Sequence, residues 1–150
     1  MKVLKITGVL LFIVFVGIQF IPTTRNESNK VLRTDFIKTY NPPENISELL
    51  RTSCYDCHSN NTNYPWYNKV QPISWFLEGH IEEAKEELNF SEFGNYSNRK
   101  KKNKLKSIIS EINDDEMPLS SYLIMHENAR ISDSNKLVLE KWLTALRDSL

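Results

Sequence analysis

Two thiols and an imidazole fall within five consecutive residues, Cys54-Tyr55-Asp56-Cys57-His58. The order is C-x-x-C-H, the attachment pattern of c-type haem. On a helix, positions three and four apart share a face. Cys54 and Cys57 are then placed to bond through sulfur to the two vinyl groups of one porphyrin. His58 follows the second thiol directly and is placed to bind the iron from one side. The spacing therefore predicts one covalent haem c, with Cys54 and Cys57 as attachment points and His58 as proximal ligand.

Other chemistry for two cysteines fits less well. A thioredoxin-like redox pair requires a βαβ setting, and no alternation of strand and helix patterns is visible. A structural zinc site asks for four Cys or His ligands. His80 and His126 are the only other histidines, and they are isolated in sequence. A disulfide between positions three apart closes a very short loop.

The sixth iron ligand is open. Met117 is the first candidate, since a thioether opposite histidine is the usual cytochrome c pairing and Pro118 stiffens the turn that presents it. The plain alternative is a methionine filling a core gap. The neighbouring Asp114-Asp115-Glu116 run argues against deep core. His80 and His126 are the alternatives, and a vacant sixth position is a further one. Trp66 and Trp75, with Tyr67 and Phe76, are expected to wall the haem. Ordinary hydrophobic packing is the competing reading of the same residues. Tyr64 or Trp66, and Arg99 or a nearby lysine, are candidate partners for the haem propionates.

These residues must be positioned by helices. Asn45-Ile46-Ser47-Glu48 reads as a capping box opening a helix that the C-x-x-C-H motif closes. Pro72 opens a second helix, to about Leu88. Leu105, Ile108, Ile109 and Ile112 mark an amphipathic helix over 98–113. A short helix is expected near 120–128. Ser132 caps a last helix bearing Leu139, Trp142, Leu143 and Leu146. No strand pattern or internal repeat occurs. The domain is read as all-α and cytochrome c-like, with its first and last helices crossing around the haem.

The N-terminus sets the compartment. Lys2 and Lys5 precede an apolar run that reaches Ile21. It reads as a signal peptide or an anchor. A cleaved signal needs small residues after the apolar core, and no alanine occurs before Ala84. Val3 to Ile21 meets the lower limit for a span, about 17 residues, if Lys5 snorkels. A signal anchor over 1–21 is the better reading, with a flexible tether over 22–44 and a haem domain over 45–150. The lysines favour a cytoplasmic N-terminus, which puts the domain on the periplasmic side.

The stretch from Cys54 to Asn60, then Tyr64-Pro65-Trp66-Tyr67, Pro72-x-Ser74-Trp75, Leu88-Asn89-Phe90-Ser91-Glu92 and Met117-Pro118, resembles a family of small bacterial haem-binding-domain proteins. The resemblance spans about Ile46 to Arg147. It implies a membrane-anchored haem c protein on the periplasmic side, and carries over Cys54, Cys57 and His58 as attachment positions.

The 150 residues have zero formal net charge, which gives no reason to expect a nucleic-acid partner. Glu78, Glu82, Glu83, Glu86, Glu87 and Glu92 form an acidic stretch. Arg99 to Lys102, Lys104 and Lys106 form a basic one. Such runs are commonly solvated helix faces, though either can steer a redox partner protein. The expected function is a membrane-anchored monohaem cytochrome that carries single electrons and is not an enzyme. The alternatives are a haem sensor or ligand-binding domain and, ranked last, a peroxidase-like site using His80 or His126.

Overall fold

Helix α1 (Lys2–Ile18) consists largely of apolar residues, and none of them is buried against the rest of the chain. The computed structural model describes residues 2–150. The α1 helix is shorter than the apolar run that encodes it. After Ile18 the chain tightens into a turn, with Gln19, Phe20 and Ile21 bonding to carbonyls three residues back. The Gln19 side chain turns instead to Gln71. Seventeen residues rise about 25 Å, against a hydrocarbon core of about 30 Å. Among the described residues, no helix is long and apolar enough to cross a membrane, so the expected span over Val3–Ile21 is not met.

Residues 22–44, expected as a flexible tether, are laced into the domain. The reason is a short helix hidden in a polar stretch, α2 (Phe36–Tyr40). Asp35 caps it by accepting from the Lys38 amide, and Asn41 ends it in a left-handed conformation. Phe36 is 0% exposed. Its ring meets Phe93 at 4.8 Å, Phe90 at 5.3 Å and Trp142 at 5.8 Å, all edge-on. Upstream, Asn26 bonds Tyr64, Ser59 and Thr62, and Glu27 forms an isolated bridge with Asn61.

Helix α3 (Glu44–Ser53) starts one residue before the expected cap. Pro43 precedes it, and Ser47 Oγ reaches back to the Pro42 carbonyl. It buries Ile46 and Leu50. The C-x-x-C-H motif does not close this helix. Cys54 leaves helical geometry, and a separate turn, α4 (Tyr55–His58), follows. Helix α5 (Ile73–Glu87) opens after Pro72. Helix α6 (Asn98–Asn113) is capped by Ser97 and buries Leu105, Ile108 and Ile112. Helix α7 (Ser120–Leu123) is one turn. Helix α8 (Asp133–Ser149) is capped by Ser132 and buries Leu139 and Leu143. Short 3-10 turns occupy Trp66–Lys69, Phe90–Asn95 and Glu127–Ala129.

The protein is all-helical, with no strand among the described residues. One core joins α2, α3, α6, α8 and the Phe90–Asn95 turn. The last helix lies chiefly against α6, where the first domain helix was expected to cross it. Phe36 of α2 reaches Trp142 of α8 and so takes part of the surface that such a crossing would use.

Candidate functional site

The motif is braced by its own two variable positions. Tyr55 stacks flat on Phe90, with ring centres 5.1 Å apart. Its hydroxyl donates to the Asp35 carboxylate and accepts from the Ile37 amide. Asp56 holds the other side. Its carboxylate accepts from the Tyr122 hydroxyl at 2.8 Å and the Asn63 amide at 3.1 Å. Its carbonyl accepts from Thr62 Oγ1 at 2.7 Å. The short turn α4 is thus tied at once to α2, to α7 and to the loop that follows it.

Beyond the motif, Asn60 donates its amide to Ser91 Oγ and accepts from the Asn89 side chain. Asn89 also accepts from the Ser91 amide. These bonds fix the Asn89-Phe90-Ser91 segment and so aim Phe90 at the motif. Phe90 meets the His58 ring edge-on at 6.3 Å.

His58 is held by the end of α5. Its Nδ1 lies 2.9 Å from the Ala84 carbonyl and 3.0 Å from the Leu88 carbonyl. Two acceptors at one ring nitrogen place the proton there, which leaves Nε2 with a lone pair. A histidine that ligates a metal is characteristically fixed in this way through its other nitrogen. Burial pushes the His58 pKa below its ordinary 6.5, outweighing the two carbonyls that favour the cation. The ring is therefore neutral and able to donate to a metal.

A cavity of about 370 Å³ opens beside it. Leu88, Phe90, Ile108, Ile112 and Ile131 make its walls apolar. Cys54, His58, Met117 and Pro118 line it as well, and Lys104 and Glu111 stand at its polar side. A smaller adjoining lobe of about 50 Å³ is lined by Cys57, His80, Ala84 and Tyr122, together with Cys54, His58 and Met117. Both cysteines are free thiols. Burial pushes Cys54 up to about 12, helped by the charge of Cys57. Burial and the Asp56 charge push Cys57 up to about 11. Both therefore rest as protonated thiols at neutral pH.

Met117 reaches the cavity through the way α6 ends. The Asp115 amide bonds the Ile112 carbonyl and the Glu116 amide bonds the Glu111 carbonyl, with Asp115 left-handed at φ 59°. This is the Schellman termination. It folds the chain back over the last turn of α6, and the Met117 amide also bonds Glu111. Asp115 pairs with Lys136 of α8, which pins the turn.

The structure brings Cys54, Cys57, His58 and Met117 together and sends other predicted residues elsewhere. Trp66 is 71% exposed and packs against Tyr67. Trp75 is also exposed. Neither tryptophan lines the cavity, whose apolar wall is made instead by Phe90 and aliphatic residues. Proline 65 starts a 3-10 turn that carries Trp66 outward. Tyr64 bonds Glu78 and Asn26. His80 reaches the smaller lobe, with its ring 4.5 Å from Phe76. His126 lies outside the cavity, stacked on Tyr122 at 4.1 Å. Sequence reading missed the wall from α6, Leu88, Phe90 and Ile131. The helical spacing of Leu105, Ile108 and Ile112 was visible, but nothing in it separates a core face from a cavity wall.

The fit to a haem can be judged from the chain itself. Ser53 Oγ is buried in the wall of both lobes with no hydrogen-bond partner, a costly state that a polar group in the cavity would relieve. The walls are apolar, an imidazole nitrogen and a thioether border the space, and Lys104 can meet a carboxylate. Among the described residues, no three His, Cys, Asp or Glu side chains cluster to hold a bare metal ion. The donor set therefore suits a haem, which would bring further iron ligands of its own.

Comparison with known proteins points the same way. No curated protein and no solved structure showed significant similarity to the chain. The model of one family, described as the haem-binding domain, matches residues 13–145. With nearly the whole chain matched and a cavity of this chemistry at its centre, the protein belongs to the haem-binding domain family.

Proposed function

We propose that the protein is a membrane-anchored monohaem cytochrome that carries single electrons on the periplasmic side. The haem would be held by thioether bonds to Cys54 and Cys57, with His58 and Met117 as the residues that would bind its iron. The observation that carries the reading is the state of His58. Its Nδ1 is locked by two carbonyls, its ring is neutral, and the ring borders an apolar cavity shared with a thioether.

When bound, a haem supplies an iron that takes up and releases one electron. The chain's own residues set the conditions. Ala84 and Leu88 orient His58 and raise its donor strength. The apolar walls keep the space at low dielectric, and a methionine ligand raises the reduction potential. Cys54 and Cys57, as thiols, carry the hydrogens that addition across a vinyl group transfers to carbon. Lys104, at the cavity rim beside Glu87, would meet a propionate. Electron carriage is the favoured reading because the Met117 thioether shares both lobes of the cavity with His58; His80, which borders the smaller lobe, is the residue a peroxidase-like site would use.

Helix α1, though shorter than a full span, favours the anchor reading. A helix apolar on every side is normally covered by protein or lipid, and this one has no buried residue. The positive start at Lys2 and Lys5 favours an inside N-terminus, with the haem domain outside. Redox proteins at the membrane are the partners this location would offer.

Optical spectra of the purified haem-loaded protein test the proposal. A closed carrier site gives a thioether-to-iron charge-transfer band in the oxidised form and slow carbon monoxide binding in the reduced form. Rapid carbon monoxide binding by the wild type would overturn it in favour of a ligand-binding site.

A further inference from the structure

The region where α1 joins the domain is not a loose connection. Gln19 pairs through its side-chain amide with both backbone groups of Gln71: its Oε1 accepts from the Gln71 amide at 2.9 Å, and its Nε2 donates to the Gln71 carbonyl at 3.1 Å. Gln71 Nε2 donates in turn to the Ile21 carbonyl, and Thr23 Oγ1 meets Ser74 Oγ at 2.9 Å. Gln71 and Ser74 are buried. Together these bonds clamp the exit of α1 onto the start of α5.

Around this clamp the surface is apolar and uncovered. Phe76 is 70%, Ile73 46% and Trp75 37% exposed. Pro72, Ile73, Trp75 and Phe76 bound one shallow apolar depression. Phe20 and Ile21, on the α1 side of the clamp, are exposed as well. Lys69, just before this depression in sequence, is exposed. The polarity reverses along α5, whose far half carries exposed Glu82, Glu83, Glu86 and Glu87.

We propose that this face, built from Ile73, Trp75 and Phe76, rests in the interfacial layer of a phospholipid bilayer and fixes the domain against the membrane. The proposal rests on the reading of α1 as the membrane anchor. Tryptophan is favoured at the headgroup level, where its ring is half in hydrocarbon and half in water. A contiguous exposed apolar surface marks an interaction site. Its continuity with the end of an apolar helix makes lipid the occupant. The length of α1 adds a second reason. A helix about 5 Å shorter than the hydrocarbon core is accommodated by thinning the bilayer and drawing its flanking groups inward. The clamp passes that pull to the aromatic face. The acidic half of α5 is left pointing away from an anionic surface.

One consequence is a fixed haem position. Helix α5 carries the aromatic face at one end and the His58 clamp at the other. Phe76 to Leu88 spans roughly 18 Å of helix, so the site is held at a set distance from the membrane face instead of ranging on a tether.

The test is photolabelling of the haem-loaded full chain in phosphatidylcholine vesicles containing a small fraction of phosphatidylglycerol, with a carbene precursor confined to the bilayer. Labelled residues are read by peptide mass spectrometry. The expected result is label on α1 and also on Ile73, Trp75 and Phe76, with none on Leu137 and Val138, which are exposed on α8. Ile73→Ser/Phe76→Ser should reduce labelling of the α5 peptide to the α8 background while α1 stays labelled. Label on α1 alone in the wild type overturns the docking face and keeps the anchor. Label on α1 alone together with a concentration-dependent dimer also overturns it, and gives the face to a second copy. No label on α1 overturns the anchor reading, and the docking face with it.

Discussion

Replacing Phe36 by alanine should cost a large share of the stability of the domain. Phe36 lies in a stretch whose composition looks like a linker, yet its ring is wholly buried. It meets Phe93, Phe90 and Trp142 edge-on and Tyr40 at a tilt, all with centres within 6 Å. Truncating a buried phenylalanine costs about 3–5 kcal/mol. Tilted and edge-on aromatic pairs add roughly 0.5–1.5 kcal/mol each beyond area burial, which places this site at the upper end of that range. A domain of this size has about 5–15 kcal/mol in all. Denaturant unfolding of the full chain in mild detergent, before haem loading, measures the loss. Val31→Ala, in the same segment but on an exposed side chain, should stay within about 0.5 kcal/mol. A Phe36→Ala loss below about 1 kcal/mol would mean that residues 22–44 are a tether after all.

Three other perturbations follow from the site and its supports. Met117→Leu should remove the sulfur-to-iron charge-transfer band of the oxidised protein, whereas His80→Ala and His126→Ala should leave it; persistence of the band in Met117→Leu would exclude methionine as ligand. Before haem loading, the domain should lose stability as pH falls below about 6.5. His58 has its folded pKa depressed below that value, so the unfolded chain takes up the proton first, at a slope of at most about 1.4 kcal/mol per pH unit for this one group. That contribution should vanish in His58→Gln. Gly94→Ala should destabilise by about 1–3 kcal/mol, because a Cβ there would stand 2.9 Å from the backbone of Thr34, whose carbonyl accepts the Gly94 amide at 2.8 Å; urea midpoints compare the two.

The chemistry-bearing residues were legible because their spacing is short and specific. Cys54, Cys57 and His58 need no knowledge of the fold to be read together. The helices over 98–113 and after Ser132 were equally plain, since caps and apolar spacing agree along them. Three features were not legible, each for a long-range reason. The partners of His58 Nδ1 are backbone carbonyls, which no side-chain pattern reveals. Phe36 lies in a five-residue helix, too short for periodicity to register, though Asp35 ahead of two apolar residues is a cap signal in retrospect. Trp66 and Trp75 have the composition of a cavity wall, but the turn after Pro65 and the burial of Gln71 and Ser74 rotate them outward. Which face of a helix meets a cofactor is decided by the packing around it.

The central claim is that Cys54 and Cys57 hold a haem covalently. Intact-mass analysis under denaturing conditions tests it most directly, using protein exported with active haem-attachment machinery. The predicted result is the chain plus one haem, unaffected by acidic solvent extraction, with Cys54→Ala/Cys57→Ala reverting to the unmodified mass. The mass of the unmodified chain alone in the wild-type sample would contradict the account.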